Sequence, residues 1–373
     1  MSASADLHAE SLVLDAHTDT LQRLVMDGID LGVRSTGDPL IERADLPRYL
    51  EGGVDAQIFA AWVDGIYVPH HAARRALQQI DAFHGVLETH PYRVGMARTG
   101  QDVRALAAEG RFAMLLSIEG GDAIQGDLGI LRTFHRLGAC SMTLCHSRTT
   151  DWVDSSTDEP RWNGLNNFGR QVILEMNRLR IVVDVSHTSD QAVQDVLDVS
   201  AQPVIASHSC CRELCDHARN LPDELIRGIA AKGGVVGINF YSAFVDQGYL
   251  DTYRAKHEDA LTAMNKPVEV SPEVLDRVAR ERLYGHSVDD VPRPPFGSLL
   301  DQIDRMVEVA GIDHVGLGTD LDVPHLSTPE GFDDVTHFPL ITEGLLARGY
   351  PAEDVKKILG TNFLRVLDEV AEV

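Results

Sequence analysis

The sequence predicts an α/β fold, a (β/α)8 TIM barrel built by residues 1–373 as a single domain, and three observations carry that prediction. First, short apolar, β-branched-rich runs recur from end to end: Leu12–Ala16, Val54–Ala61, Phe112–Ile118, Ser141–Cys145, Ile181–Ser186, Pro203–Ser207, Gly234–Phe240 and Val315–Thr319. Most are continuously apolar rather than alternating, as parallel strands covered on both faces require. Second, segments of helical spacing separate them. Third, side chains capable of chemistry stand at the carboxyl end of nearly every run, where a barrel gathers its active site: His17 and Asp19, Glu119, His146, His187, His208, Asn239 and Asp320.

Along the chain, the helical segments are Pro69–Glu88, Gly126–Leu137, Gly164–Arg180, Thr188–Val199, Pro222–Lys232 and Gly297–Ala310. The polar, proline-containing stretch from about 241 to 295 reads as an insertion over the barrel mouth, between the seventh and eighth runs. Pro329–Gly349 and Ala352–Val370 supply C-terminal closing helices, the last with Val355, Ile358, Leu359, Leu364 and Leu367 at helical spacing. An open doubly wound sheet gives the same alternation. It is disfavoured because Gly316-Leu317-Gly318 lacks a third glycine and runs into Thr319-Asp320 instead of a helix, and because the polar residues do not gather at one switch point.

With 57 acidic and 33 basic residues and a net charge of −24, the chain repels phosphate backbones, and no basic stripe offsets this, so nucleic acid is excluded as a partner. No apolar run approaches a membrane span, the first residues lack the pattern of a secretory signal, and no lipid-anchor tail is read at the other end. The expectation is a cytoplasmic protein with no membrane partner. Five cysteines, an odd number, imply no secreted disulfide framework. Patterns for a serine nucleophile elbow, an HExxH zinc helix and a phosphate loop are absent.

Histidine, at 16 copies, points to metal. In Asp15-Ala16-His17-Thr18-Asp19, His17 and Asp19 lie two apart on an extended chain and face the same way, so an imidazole and a carboxylate can share one divalent cation. Alternatively Asp19 caps the following helix. Glu119 follows an apolar strand directly and precedes Gly120-Gly121; buried there, a carboxylate needs a partner, and its two oxygens can bridge two metals. His187 and His208 end consecutive strands, each after a serine, and offer two nitrogens to a second metal. His146 serves either as a ligand or as a donor to a developing oxyanion, and Asp320, with Asp322 competing for the role, as a proton acceptor or an ammonium partner. Arg219 either grips a substrate carboxylate or lies solvated at the surface. The spacing from His208 through Cys210, Cys211 and Cys215 to His217 fits no common zinc pattern, and these cysteines read as small buried hydrophobes.

Taken together, D-A-H-T-D at 15–19, S-I-E-G-G at 117–121, L-C-H-S at 144–147, N-F-G-R-Q-V-I-L-E-M-N-R-L at 167–179, V-D-V-S-H at 183–187, A-S-H-S at 206–209, A-R-N-L-P-D at 218–223 and N-F-L-R-V at 362–366 resemble the membrane (renal) dipeptidase family, zinc peptidases of the amidohydrolase superfamily. The resemblance implies two Zn²⁺ ions per chain, one on His17 and Asp19, the other on His187 and His208, with Glu119 bridging. It further implies that His146 contacts the tetrahedral intermediate, Arg219 the terminal carboxylate, and Asp320 the free amino group and the proton transfers. The expected reaction is hydrolysis of a small dipeptide, L,D-dipeptides included, by hydroxide held between the metals, in a homodimer. Rival expectations are hydrolysis of N-acyl amino acids at the same site and a metal-binding protein without catalysis. Two positions depart from the family pattern: Val323 stands where glycine is expected, and Cys145 where threonine is familiar.

Overall fold

Among the described residues nine parallel strands form, β1 (Leu14–Thr18), β2 (Ala56–Trp62), β3 (Val94–Met96), β4 (Phe112–Glu119), β5 (Ala139–Thr143), β6 (Val182–Asp184), β7 (Val204–Ser209), β8 (Val235–Ile238) and β9 (Val315–Leu317), and all but β3 close on each other. The computed structural model describes residues 3–38, 42–264, 271, 274–284, 290–322 and 326–372, so Val323 and part of the 241–295 stretch lie outside the described residues. Around the barrel the order is β1, β2, β4, β5, β6, β7, β8, β9 and back to β1, where Asp15 pairs with Leu317. Each of the eight apolar runs supplies one barrel strand. β3 is an addition that the sequence reading lacks. It pairs with the foot of β4 (Val94 with Phe112, Met96 with Met114), on the edge that β5 takes over higher up.

All residues of β4 are buried, as expected for a strand covered by helices outside and side chains inside. The barrel interior and its amino-terminal end are filled by Leu14, Ile58, Leu115, Ile205 and Val235 against Phe363, Leu364 and Leu367 of the C-terminal helix Asn362–Glu372. Gly316 is required there, since a Cβ would stand 2.4 Å from the Phe363 ring. The six helical segments form as Ala72–Thr89, Leu128–Leu137, Asn167–Leu179, Asp190–Val199, Asp223–Ala231 and Phe296–Ala310. Three of them start on side-chain caps, with Asp127 accepting from the Gly129 amide, Asn166 from those of Phe168 and Gly169, and Ser189 from that of Ala192. Outside the 241–295 stretch, four described helices were not anticipated: Ala3–Glu10, Thr20–Met26, Leu46–Glu51 and Gly100–Ala108.

The closing segments are shorter than expected. Between Pro329 and Gly349 only Pro339–Ala347 is an α-helix, because Asp334 caps the tight turn Val335–His337 and Pro339 then opens the helix. The last segment is Ala352–Lys356, a wide π-type turn at Lys357–Thr361, and Asn362–Glu372. Between β8 and Phe296 the described chain forms helices Ser242–Val245, Gln247–Met264 and Leu275–Tyr284. The last of these is tied to the segments that follow β1 and β2, through Arg280 to Asp27 at 2.8 Å, Arg282 to Asp64 at 3.5 Å, and Asp276 accepting from the Tyr67 hydroxyl at 2.9 Å. Among the described residues no helix is long and apolar enough to cross a membrane.

Candidate metal centre and cavity

Two buried aspartates that the sequence reading left without a role, Asp15 and Asp184, fix the strand ends that carry the site. Asp15 Oδ1 accepts from the Thr319 amide at 2.8 Å and Oδ2 from the Thr319 hydroxyl at 2.6 Å, which aligns the ends of β1 and β9. Burial, only partly offset by these bonds, raises the Asp15 pKa to about 6. Asp184 accepts from the amides of Ser186 and Ser207, both at 3.0 Å, and joins the ends of β6 and β7. The Ser186 hydroxyl accepts from the His208 amide at 3.1 Å, and the Ser207 hydroxyl lies 2.7 Å from His208 Nδ1, which orients the ring with Nε2 toward the centre. His187 and Asp320 both adopt left-handed backbone, at φ 72° and 59°. Such strain, about 1–3 kcal/mol for a residue with a Cβ, concentrates at functional sites.

These devices bring five candidate ligands together. Glu119 Oε2 lies 3.3 Å from His17 Nε2, while Oε1 lies 3.1 Å from His187 Nε2 and 3.6 Å from His208 Nε2. One carboxylate oxygen therefore faces His17 and the other faces His187 and His208. His187 and His208 approach within 2.8 Å through their Nε2 atoms. Asp19 Oδ1 and Asp320 Oδ1 stand 4.0 and 3.9 Å from His17 Nε2. Asp19 occupies the N-cap of helix Thr20–Met26 but makes no capping bond, so the helix-cap alternative fails. His146 joins Glu119 and His187 in a third set of donors close enough to hold an ion, so geometry admits it as a ligand as well as an oxyanion donor.

The donor set fits a divalent cation. Asp19 Oδ1 and Glu119 Oε2 are buried with no hydrogen-bond partner, a cost that an ion removes. Imidazole nitrogens and carboxylate oxygens in this mix suit Zn²⁺ and similar metals. Electrostatics point the same way: burial opposes a charged His17, yet Glu119, Asp320 and Asp19 outweigh it and raise its pKa to about 10, so the cluster attracts positive charge. Burial holds His146, His187 and His208 below the ordinary histidine value, in the neutral form that binds metal.

The centre opens into a cavity of about 330 Å³, at the lower end for a small-molecule site. His146, Arg219 and Asp320 all line it. Arg219 is buried, donates to the His208 carbonyl at 3.0 Å, leaves its Nε unpartnered, and has no carboxylate within 4 Å among the described residues, so the surface alternative fails. Asp320 Oδ2 accepts from Asn239 Nδ2 at 3.1 Å, and burial raises its pKa to about 6. Asn239 thus positions Asp320. Trp62, at the end of β2, lines the cavity edge-on to His146 with ring centroids 5.2 Å apart; nothing in its apolar run distinguished it from core. Cys145 lies beneath the site, its thiol 3.6 Å from the His187 carbonyl, and all five cysteines are buried and free.

Asp322 is not part of the cavity. It pairs with the buried Arg23 at 2.9 and 3.1 Å. Replacing Arg23 with leucine should cost about 3–5 kcal/mol, because it leaves the carboxylate buried without its partner. Urea unfolding checks this, and the double variant Arg23→Met/Asp322→Leu should recover most of the loss.

Three comparisons bear on this geometry. The sequence profile of the membrane dipeptidase family (peptidase family M19) matches residues 1–373. The chain is similar to Dipeptidase verJ of Clonostachys rogersoniana, 32% identical over 344 residues that cover 89% of this chain and 77% of that protein. Dipeptidase tcpJ of Claviceps purpurea is 31% identical over 372 residues, 96% of this chain and 77% of that protein. The crystal structure of the probable dipeptidase PvdM from Pseudomonas aeruginosa superposes with a TM-score of 0.83 at 28% identity, covering 98% of this chain and 97% of that one. With a profile match along its whole length and relatives above 30% identity, this chain belongs to the membrane dipeptidase family and is a metal-dependent dipeptidase.

Proposed function

We propose that the protein hydrolyses free dipeptides, L,D-dipeptides among them, at a centre of two Zn²⁺ ions, with His17 and Asp19 holding one, His187 and His208 the other, and Glu119 shared. One observation carries this assignment: Glu119 is 1% exposed, its two oxygens face different histidines, and no lysine or arginine pairs with it among the described residues. Bound there, the ions supply a water of lowered pKa and a Lewis acid for the scissile carbonyl oxygen.

The chain's own residues do the rest. Asp320, held through Oδ2 by Asn239 and titrating near 6, takes a proton at Oδ1 and returns it to the departing amine, having first paired with the substrate ammonium. Burial favours a neutral His146, whose Nδ1 lies 3.0 Å from the Ser147 hydroxyl; in the tautomer with its proton on Nε2, the ring donates to the carbonyl oxygen as charge develops on it. Arg219 takes the C-terminal carboxylate with its free donors. Charged contacts at both ends of a small cavity measure the substrate as two residues. The free cysteines suit a reducing compartment, the cytoplasm, and the family resemblance a homodimer.

The test is hydrolysis by zinc-loaded protein of L,L- and L,D-dipeptides, a tripeptide and N-acetyl amino acids, with zinc counted per chain by mass spectrometry. Dipeptide cleavage with little tripeptide cleavage and two zinc ions is expected. Turnover of N-acetyl substrates alone removes the ammonium role of Asp320, and a single ion per chain removes the bridging role of Glu119.

A further inference from the structure

We propose that the cavity selects dipeptides whose C-terminal residue is aspartate or glutamate, with Arg254 reading the side-chain carboxylate. This rests on the dipeptidase assignment above and refines its substrate class. Arg254 sits on helix Gln247–Met264 and lines the same cavity as Arg219, His217, Phe244 and Tyr253. Two other arginines near the mouth are paired with carboxylates, Arg280 with Asp27 and Arg282 with Asp64, whereas Arg219 in the cavity is not. Arg254 has none within 4 Å among the described residues; it is exposed and lines the cavity.

A second donor stands beside it. His217 Nδ1 accepts from the Arg219 amide at 3.0 Å, so the neutral ring carries its proton on Nε2. Burial first, then the nearby Arg219 and Arg254, push its pKa down to about 3, which keeps it in that form. The ring lines the cavity and packs on Phe244 at 4.5 Å between centroids. On this proposal, a substrate with its terminal carboxylate on Arg219 seats the side chain of the same residue against His217, Phe244 and Arg254, which line the same cavity. Phe244, Tyr253 and Leu250 cover methylene groups there, and two donors await an anion. The cavity carboxylates, Asp19, Glu119 and Asp320, are committed to the metal centre, the end that takes the substrate amine.

The experiment compares kcat/KM of the zinc-loaded enzyme for Ala-Asp against Ala-Asn and Ala-Glu against Ala-Gln, with both L and D C-terminal residues, since each pair differs only in charge. An acid-over-amide ratio of about tenfold or more is expected from one charge-assisted contact, falling as salt is raised. Arg254→Gln should bring the ratio close to one, and Arg254→Lys should keep part of it. A ratio near one in the unmodified enzyme, or one that survives Arg254→Gln, overturns the inference while leaving the dipeptidase assignment intact. Failure to cleave any dipeptide overturns that assignment and this inference with it.

Discussion

Glu119→Gln should lower dipeptide hydrolysis by about a hundredfold to a few thousandfold and leave the purified protein short of metal. The substitution keeps the size of the side chain but turns one oxygen into an NH₂ and removes the charge between His17 on one side and His187 and His208 on the other. Losing one partner of a buried ionic cluster costs about 3–5 kcal/mol, which at about 1.4 kcal/mol per decade gives a change of that order. Because Glu119 lies inside the barrel mouth at the end of a fully buried strand, folding needs its own control: the urea midpoint of the metal-free variant against that of metal-free parent protein. A folded variant that binds two ions and works within tenfold of the parent would remove Glu119 from the shared position.

The second large effect concerns Arg219. Arg219→Ala should lower kcat/KM by about a hundredfold to a thousandfold, chiefly through KM, since removing one partner of a buried charged contact costs about 2–5 kcal/mol. Arg219 also donates to the His208 carbonyl, so part of any loss reflects support of the metal centre. A dipeptide and its C-terminal amide separate the two. The parent enzyme should strongly prefer the free acid, and the variant should treat both alike if the guanidinium binds the carboxylate. A variant that is slower on both substrates but keeps the preference assigns Arg219 to supporting His208 alone.

The barrel was legible because its strands are buried on both faces and so stand out as unbroken apolar runs; β3, three residues on one edge of β4, carries no such signature. Short helices such as Thr20–Met26 escaped because too few turns exist to set a period, and its first residue follows Asp19, whose side chain serves the cavity instead of the cap. The candidate ligands were readable for the same reason as the strands: a carboxylate or imidazole directly after an apolar run is conspicuous. Their supports were not. Asp15 and Asp184 act through backbone amides of other strands, 304 and 23 residues away, and spacing along one chain does not reveal such partners. Asn239 was noticed at a strand end, but its bond to Asp320 needed the closed barrel. Arg254 fell in a stretch readable only as an insertion, where an arginine looks like any solvated charge.

The bond between Asp15 and Thr319 also sets an order of events in the life of the chain. It spans 304 residues and locks the first strand to the last, with His17 and Asp320 on either side of that join. The long loop this closes makes it among the slowest contacts to form. During synthesis His17, Glu119, His187 and His208 all leave the ribosome before Asp320 exists. On the proposed assignment, the residue that shuttles the proton is therefore the last to join the candidate ligands, and hydrolytic competence waits on the closing of the ring of strands.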